Sequence, residues 1–185
     1  MKIALDIDDT ITNTNEFLLD RMSEFFQVNK DYLIKNNYSY INLKESFKKK
    51  EKEFILSMFE KRLCEIELKK NAKKYINKLY NEGNEIYLIT ARQNFNNVYD
   101  STFDQIKKYG IKFTKLICSP NKAEECKKNN IDIYIDDSIK NTNEAKGYVT
   151  NIFVFESAHN KNRNTNYSKI KNWKQLYNEI NKIRT

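Results

Sequence analysis

The stretch KIALDIDDTIT, residues 2–12, decides the fold of this chain. It begins with a short apolar run of the kind that forms a strand buried on both faces of a parallel sheet. The run leads directly into three carboxylates, Asp6, Asp8 and Asp9, followed by Thr10. Acids this close together repel one another and need a cation, a proton or open water to coexist. The stretch therefore predicts a buried strand that ends in a site where something offsets the negative charge.

The rest of the chain alternates between short apolar runs and helical patterns. Helical spacing of apolar residues stops at Gly83 and again at Gly110, and glycine is the usual residue just after a helix. This alternation predicts βαβ units and therefore an α/β fold with a doubly wound, mostly parallel sheet of the Rossmann type. The further strands are predicted at residues 85–90 (EIYLIT), 115–118 (KLIC), 131–136 (IDIYID) and 151–155 (NIFVF).

A long interval without a strand pattern separates the first and second predicted strands. Residues 14–68 carry amphipathic helical patterns instead, and they exceed the single helix that a βαβ crossover needs. A chain of 185 residues is long enough for one core and an inserted subdomain. We therefore predict a core formed by residues 1–13 and 69–185, with a helical cap formed by residues 14–68.

The formal net charge of +8 would ordinarily suggest a nucleic-acid partner, because lysine and arginine release counterions when they bind phosphate backbones. Lysines occur throughout this chain, however. In KESFKKKEKEF, residues 44–54, they alternate with glutamates as on a solvated helix face. We therefore expect no nucleic-acid partner.

The cysteines and the single histidine exclude some classes of site. The three cysteines form no C-x-x-C pair, and with His159 as the one histidine the chain cannot assemble a zinc site of the usual kind. We expect buried free thiols in a reducing compartment. No apolar run reaches the length that spans a membrane, so we expect no membrane partner and a soluble, cytoplasmic protein.

Polar and charged residues also follow the later predicted strands. In an open α/β sheet, ligands bind beyond the carboxyl ends of the strands, so these residues are expected to converge with the first acidic turn on one edge. They are Thr90, Ala91 and Arg92 after the second strand, Lys122 at the start of the helix after the third, and Asp136 and Asp137 at the end of the fourth.

The carboxylates at this edge predict a metal site. Asp6 and Asp8 are two residues apart, so their side chains leave an extended chain on the same side. A second pair, Asp136 and Asp137, would repel them unless a hard divalent cation lay among the four acids. Carboxylate and carbonyl oxygens are the ligands that Mg²⁺ takes. The sequence therefore predicts a Mg²⁺ site.

Thr90 and Lys122 add a second prediction. A hydroxyl donor and an ammonium group facing a metal outline a pocket for a phosphoryl group. Asp6 can attack the phosphorus and form an aspartyl-phosphate. Asp8 can protonate the leaving alkoxide and later activate water, a role that needs a proton on Asp8 at neutral pH. Crowding by the neighbouring acids is expected to make that protonation feasible.

These elements resemble the four motifs of the haloacid dehalogenase (HAD) superfamily of phosphatases. D-x-D-x-T ends the first strand, a threonine ends the second, a lysine follows the third, and an acidic pair ends a later strand. The motifs stand in the family's order and span nearly the whole chain. The resemblance implies a HAD core with a cap of the C1 type, and phosphatase activity that depends on Mg²⁺.

The resemblance also implies a role for each motif residue. Asp6 would be the nucleophile and a metal ligand. Asp8 would be the acid and base, and would lend its backbone carbonyl to the ion. Whether Asp136 or Asp137 touches the ion directly is left open. The other implied roles are phosphate binding by Thr90, Ala91 and Lys122, metal binding by Asp136 and Asp137, stabilisation of the turn by Thr10, and a structural role for Asp9.

Several local features are similar to the cytosolic C-type 5′(3′)-deoxyribonucleotidases and their bacterial relatives. They are the size of the cap, LITAR at residues 88–92, IDDS at 135–138 and NW at 172–173. In that group, aromatic side chains of the cap stack on the base of a nucleoside monophosphate. The candidates for substrate contact here are Phe17, Tyr38, Tyr40 and Arg92. Packing within the cap is the simpler explanation of each aromatic residue. His159 either lines this pocket or is a surface histidine without a role.

The resulting hypothesis is a Mg²⁺-dependent phosphomonoesterase for (deoxy)nucleoside monophosphates. The first alternative keeps the machinery but changes the substrate to a sugar phosphate, a small metabolite or a 3′-phosphorylated nucleic-acid end. A receiver-type phosphoacceptor domain is a second alternative. Receivers take the phosphate on an aspartate at a mid-chain strand end, and residues 85–90 and 115–118 end without one. A nucleotide-binding protein without catalysis is the third.

Overall fold

The structure is a computed structural model that describes residues 1–36, 38, 45–59, 62–93 and 97–184. Within these residues, six strands form one sheet in which every neighbouring pair is parallel. The strands are β1 (Lys2–Leu5), β2 (Glu85–Thr90), β3 (Lys115–Cys118), β4 (Ile133–Asp136), β5 (Asn151–Phe155) and β6 (Ser168–Ile170). Their order across the sheet is β3-β2-β1-β4-β5-β6. The predicted α/β fold with a parallel sheet is therefore confirmed, with the acidic turn after a central strand.

Helices connect the strands and cover both faces of the sheet. Between β1 and β2 lie α1 (Thr14–Phe25), α2 (Lys30–Lys35), α3 (Glu45–Lys48) and α4 (Glu51–Phe59), followed by a 3₁₀ turn (Leu63–Glu65) and α5 (Ala72–Asn81). The later helices are α6 (Val98–Lys108), α7 (Lys122–Lys128), α8 (Ile139–Glu144) and α9 (Trp173–Arg184). In the described part of the chain, no helix combines the length and the apolar character needed to cross a bilayer.

Strand β1 shows why the fold is doubly wound. Ile3 and Leu5 are fully buried in a cluster with apolar residues of α5, α6 and α9. Ala4, which points the other way, is buried in a second cluster with residues of α7 and of the segment after α8. A strand buried on both faces needs apolar residues at every position, which is what the sequence of β1 supplies.

The element boundaries differ from the sequence-based expectation in two places. The fourth strand begins at Ile133 rather than at residue 131, although Ile131 is still buried. The short edge strand β6, which pairs with β5, was not predicted. It has three residues and only Ile170 is buried, so it lacks the apolar run on which the strand predictions depended. The predicted glycines do follow α5 and α6, with positive φ at Gly83 and Gly110.

The helices between β1 and β2 bury an apolar cluster of their own. Its fully buried members include Leu18, Met22, Leu33 and Phe54. The two connections to the rest of the molecule run side by side, because Asn13 N donates to Glu67 O at 2.9 Å and Lys69 N donates to Ile11 O at 2.8 Å. The division into a core of residues 1–13 and 69–185 and a cap of residues 14–68 stays a prediction. We use the word cap for residues 14–68 below.

Candidate active site

The carboxyl edge of the sheet brings three buried charged residues together. Asp6 follows β1 directly, and its amide donates to Ile135 O of the neighbouring strand at 2.9 Å. Asp136 is the last residue of β4, and Lys122 is the first residue of α7. The Lys122 ammonium contacts the Asp6 carboxylate and lies 2.8 Å from Asp136 Oδ2. The side chain of Lys122 is therefore held between two carboxylates from different strands.

Lys122 reaches this position because α7 starts where the sequence predicts. The side chain of Asn121 caps the helix by accepting the amide of Glu124 at 3.2 Å. Although burial alone would lower the pKa of Lys122, the carboxylates of Asp136 and Asp6 raise it above its usual value. The residue therefore remains a fixed cation.

Asp6, Asp136 and Asp137 form a cluster whose carboxylate oxygens lie within 4.8 Å of one another. Burial raises the pKa of Asp6 to about 8; Lys122 opposes the rise, whereas Asp136 and Asp8 add to it. The pKa of Asp137 is well above its usual range because the residue is buried beside Asp6 and Asp136. Three acidic oxygen donors that repel one another in a buried position fit a hard divalent cation such as Mg²⁺.

The two acids of the predicted pair have different surroundings. Asp136 Oδ2 accepts hydrogen bonds from Lys122, from the Tyr134 hydroxyl and from Asn141 Nδ2, and Asp136 Oδ1 accepts the amide of Ser138 at 2.7 Å. Within the described residues, no lysine, arginine or histidine nitrogen forms an ion pair with Asp137. Asp136 is thus saturated by protein donors, whereas Asp137 has no cationic partner there.

The carboxylate of Asp8 is engaged at both oxygens. Asp8 Oδ1 accepts from the Thr14 hydroxyl at 2.7 Å and from Arg92 Nη2 at 2.7 Å, and Oδ2 accepts from Arg92 Nε at 2.8 Å. Burial alone would raise the pKa of Asp8, but the Arg92 guanidinium, the Thr14 hydroxyl and the Lys122 ammonium together outweigh burial and hold the pKa below its usual value. The expectation that crowding by acids promotes protonation of Asp8 is therefore wrong for this arrangement.

Arg92 was expected to contact the substrate, and this role stays a prediction. Its side chain is 2% exposed and is surrounded by protein groups. Arg92 Nη1 donates to Gln105 Oε1 at 2.7 Å and lies 3.4 Å from the Thr102 hydroxyl. Both residues belong to α6 and were missed by the sequence analysis. Thr102 and Gln105 share the buried face of α6 with Ile106, and polar residues at helical spacing beside a buried apolar residue indicate a polar partner inside the protein.

Thr90 and Ala91, the other residues predicted to bind phosphate, end and follow β2, next to β1 in the sheet. Thr90 is buried, and its hydroxyl accepts the amide of Arg92 at 3.3 Å. Ala91 is exposed. The structure thus places both residues at the carboxyl edge of β2, one strand away from the acidic turn.

The acidic turn is held by residues other than the predicted one. Thr10 is buried, and its hydroxyl has no hydrogen-bond partner among the described residues. The hydroxyl that bonds the turn belongs to Thr12, which donates to Ile7 O at 3.0 Å and lies 2.7 Å from Thr14 Oγ1. Stabilisation of the turn by a side-chain hydrogen bond therefore comes from Thr12 instead of Thr10.

Asp9 occupies the left-handed region of backbone space, with φ of 59°. Its Oδ1 accepts the amide of Asn15, in the first turn of α1, at 2.8 Å. Burial raises the pKa of Asp9 to about 6 although the Asn15 amide opposes the rise. The loop after β5 brings His159 close, with Nε2 3.6 Å from Asp9 Oδ2. His159 therefore lies beside the acidic turn.

The structure describes two of the three aromatic residues of the cap that were predicted to contact the substrate. Phe17 is half-buried, packs against the apolar cluster of the cap and lies under the Arg21 guanidinium, 5.4 Å from its central carbon. Tyr38 packs against the same cluster, with its ring 6.1 Å from that of Tyr32. Tyr40 lies outside the described residues. Roles in substrate binding for these three residues remain predictions.

Comparison with known families decides the identity of the chain. The model of one family, described as 5′ nucleotidase, deoxy (pyrimidine), cytosolic type C protein, matches residues 1–185. The chain belongs to this family. It is therefore a HAD-type phosphatase, a hydrolase of phosphoric monoesters. The predicted resemblance is confirmed.

Solved structures with low sequence identity share the fold of this nucleotidase-family chain. A predicted phosphatase from Clostridium acetobutylicum is 15% identical with a TM-score of 0.70, covering 98% of both chains. A haloacid dehalogenase-like hydrolase from Streptococcus pneumoniae is 14% identical with a TM-score of 0.66, covering 100% of this chain and 98% of the other. A D,D-heptose 1,7-bisphosphate phosphatase from B. bronchiseptica, complexed with magnesium and phosphate, is 10% identical with a TM-score of 0.58, covering 99% of each. No curated protein matches the sequence.

Proposed function

We propose that this member of the nucleotidase family is a Mg²⁺-dependent phosphomonoesterase that hydrolyses nucleoside monophosphates through an aspartyl-phosphate on Asp6. The observation that carries the proposal is the position of Lys122 between Asp6 and Asp136, together with the carboxyl group of Asp137, which has no cationic partner among the described residues. A buried lysine facing an acid cluster is an arrangement that can neutralise the oxygens of a phosphoryl group.

The proposed metal ligands are the carboxylates of Asp6 and Asp137 and the backbone carbonyl of Asp8. Asp136 is assigned to a different task, because protein donors already occupy both of its oxygens. It orients Lys122 and keeps that residue charged. When bound, Mg²⁺ would neutralise charge on the phosphoryl oxygens.

In the first step, the carboxylate of Asp6, which a bound divalent cation would keep ionised, attacks phosphorus. A P–O bond to Asp6 forms, and the P–O bond to the nucleoside breaks. Lys122 fixes one oxygen of Asp6, which leaves the other for the attack. The leaving alkoxide takes a proton from Asp8. Because Arg92 keeps Asp8 ionised in the free site, Asp8 has to take up this proton from solvent when the anionic phosphoryl group binds, since a nearby negative charge raises the pKa of a carboxyl group. In the second step, water attacks the phosphorus of the aspartyl-phosphate and gives a proton to Asp8. The P–O bond to Asp6 breaks, so phosphate is released and the Asp6 carboxylate is restored.

The nucleotide substrate is supported by the family description, 5′ nucleotidase, deoxy (pyrimidine), cytosolic type C protein. A sugar phosphate, a small metabolite or a 3′-phosphorylated nucleic-acid end is the alternative substrate for the same machinery. A cytoplasmic location is part of the proposal, because the family is described as cytosolic.

The test is a phosphate-release assay with Mg²⁺ on a panel of nucleoside, deoxynucleoside and sugar monophosphates and a 3′-phosphorylated oligonucleotide. We expect turnover of nucleoside monophosphates by the wild type and none by Asp6→Asn. Asp104→Asn, which changes an exposed acid on α6, serves as the matched control and should keep wild-type rates. Turnover of no panel member would refute phosphatase activity, and equal turnover by Asp6→Asn would refute the covalent mechanism.

A further inference from the structure

Asp8 is the group that exchanges protons in the proposed reaction, and its carboxylate is held from two directions. Thr14, the first residue of α1, donates to one oxygen, and Arg92 donates to both. The guanidinium meets the carboxylate with two nearly equal bonds of 2.7 and 2.8 Å. A bidentate pair of this kind fixes the plane of the carboxylate as well as its distance.

Arg92 is itself held in one orientation. Gln105 Oε1 accepts from Arg92 Nη1 at 2.7 Å, and Gln105 Nε2 donates to Leu63 O, in the 3₁₀ turn before α5, at 2.8 Å. Gln105 is fully buried, and Arg92 is nearly so. A chain of buried hydrogen bonds thus runs from the backbone at Leu63 through Gln105 and Arg92 to Asp8.

We propose that Arg92 is a positioning residue for Asp8 and that Gln105 holds the Arg92 guanidinium in the orientation that meets Asp8. The inference rests on the proposed function, since it assigns these residues a task in that reaction. It replaces the expectation that Arg92 contacts the substrate with an indirect role through Asp8.

The physical reason for the arrangement is the precision that proton transfer needs. A catalytic group works when its supporting side chains hold it within about 0.5 Å of the productive position, and a displacement of about 1 Å can cost roughly 10²-fold in rate. The short Asp8 side chain cannot be fixed by packing alone beside a polar turn. The planar fork of arginine can fix it, whereas the ammonium of lysine provides the charge without the fork.

The two steps of the reaction allow this role to be separated from a purely structural one. With p-nitrophenyl phosphate, the leaving group departs without protonation, so formation of the aspartyl-phosphate does not need Asp8. Hydrolysis of the aspartyl-phosphate still needs Asp8 as a base. A defect in the position of Asp8 should therefore slow the second step and spare the first.

The experiment is rapid-quench and stopped-flow kinetics on Arg92→Lys and Gln105→Met with p-nitrophenyl phosphate and a nucleoside monophosphate, in the presence of Mg²⁺. We expect kcat to fall about 10- to 100-fold for Arg92→Lys and by a smaller factor for Gln105→Met. The burst of p-nitrophenolate and the Kd for inorganic phosphate should stay within about threefold of wild type. Arg184→Lys, which changes a second arginine–carboxylate pair on α9 with Glu82 at 2.8 Å, is the matched control and should keep all rates.

Three results would overturn the inference. Loss of phosphate affinity with an equally reduced burst in Arg92→Lys would mean that Arg92 contacts the phosphoryl group. Unchanged kcat with a lowered Tm would mean that the pair only stabilises the fold. A burst that falls with kcat in both variants would show a general disturbance of the site. If the wild type itself turns over no phosphomonoester, the proposed function fails, which is a different outcome from any of these three.

Discussion

The carboxyl edge of the sheet and the interior of the cap are built on opposite principles. At the edge, buried charges compensate one another, as Lys122 does with Asp6 and Asp136 and as Arg92 does with Asp8. The interior of the cap is an apolar cluster in which Phe54 and its neighbours pack ring against ring. The positions of side chains at the edge are therefore set by ion pairing and by where the strands end. In the cap, the positions of side chains are set by how well apolar groups fill the interior.

Because the two regions are built differently, residues that carry the reaction should be separable from residues that set stability and substrate affinity. A change at the edge should alter the rate of the reaction while leaving the cap folded. A change in the cap interior should alter stability and substrate affinity while leaving the reacting groups in place. Substitutions in each region, with the rate and the stability measured for each variant, test this separation.

The replacement Lys122→Met should give the largest change. Phosphate release is expected to fall about 10³-fold, because the phosphoryl oxygens lose their fixed cation and Asp6 loses its partner. Initial rates at saturating Mg²⁺, with circular dichroism to verify folding, provide the measurement. Lys128→Met changes an exposed lysine at the other end of α7 and should have no effect. A Lys122→Met enzyme with wild-type rates would contradict the assignment of the edge.

The replacement Phe54→Ala tests the cap. Phe54 is fully buried, with its ring 5.4 Å from that of Phe25 and 5.5 Å from that of Phe26. The free energy of unfolding should fall by about 3–5 kcal/mol because a cavity replaces the ring.

Urea unfolding measures that loss, and Ile34→Ala, at a residue that is 51% exposed, is the control with a small expected effect. At a temperature where the variant is folded, its kcat for p-nitrophenyl phosphate should stay close to that of the wild type. A fall in kcat as large as that of Lys122→Met would break the separation between the two regions.

The acid cluster predicts how stability depends on pH and metal. Because burial raises the pKa of Asp6 to about 8, the folded chain holds a proton there that the unfolded chain loses near pH 4. The associated stability is complete below about pH 4 and is lost as pH rises to about 8, and each unit of pKa difference is worth about 1.4 kcal/mol.

The Tm of the metal-free protein should therefore fall between pH 5 and 8, and Mg²⁺ should raise it more at the upper end of this range. Differential scanning fluorimetry with EDTA or Mg²⁺ measures both effects. In Asp6→Asn, the fall of Tm with pH should be shallower. A Tm that does not respond to Mg²⁺ at any pH in this window would contradict the metal site.

Much of the edge could be predicted because it depends on the chain direction of parallel strands. The carboxyl ends of parallel strands lie at one edge of the sheet, and this rule alone predicts that the polar residues at the ends of β1, β2 and β4 and at the start of α7 meet there. The structure brings Asp6, Lys122, Asp136 and Asp137 together. The strand β6 escaped prediction because one buried residue in three carries no periodicity.

The partners of Asp8 could not be predicted from strand ends. Arg92 directly follows the end of β2, and sequence position does not say whether so long a side chain turns to solvent or inward. The inward orientation of the Arg92 side chain depends on Gln105, 13 residues away, whose amide oxygen accepts a hydrogen bond from the guanidinium. The direction of side chains in the cap was equally hard to predict. Helical spacing places Phe17 on an apolar helix face but does not say what that face contacts.

The smallest predicted effect concerns Asp9, which joins the two regions. Its backbone is left-handed, and its carboxylate accepts the amide of Asn15 in α1. An alanine there would lose the hydrogen bond from the Asn15 amide in the first turn of α1, a loss of about 1 kcal/mol by analogy with a helix-capping side chain, and would add strain of about 1–2 kcal/mol in the left-handed region.

Asp9→Ala should therefore destabilise the protein by about 2 kcal/mol in urea unfolding with EDTA. Asp9→Gly should lower the free energy of unfolding by about half as much, because glycine adopts positive φ freely and only the hydrogen bond to the Asn15 amide is lost. Asp9→Asn should cost least, since asparagine tolerates the left-handed region and its amide oxygen can accept the Asn15 amide. Equal losses for alanine and glycine would show that the backbone at Asp9 carries no strain. The position would then matter only as a hydrogen-bond acceptor for the first helix of the cap.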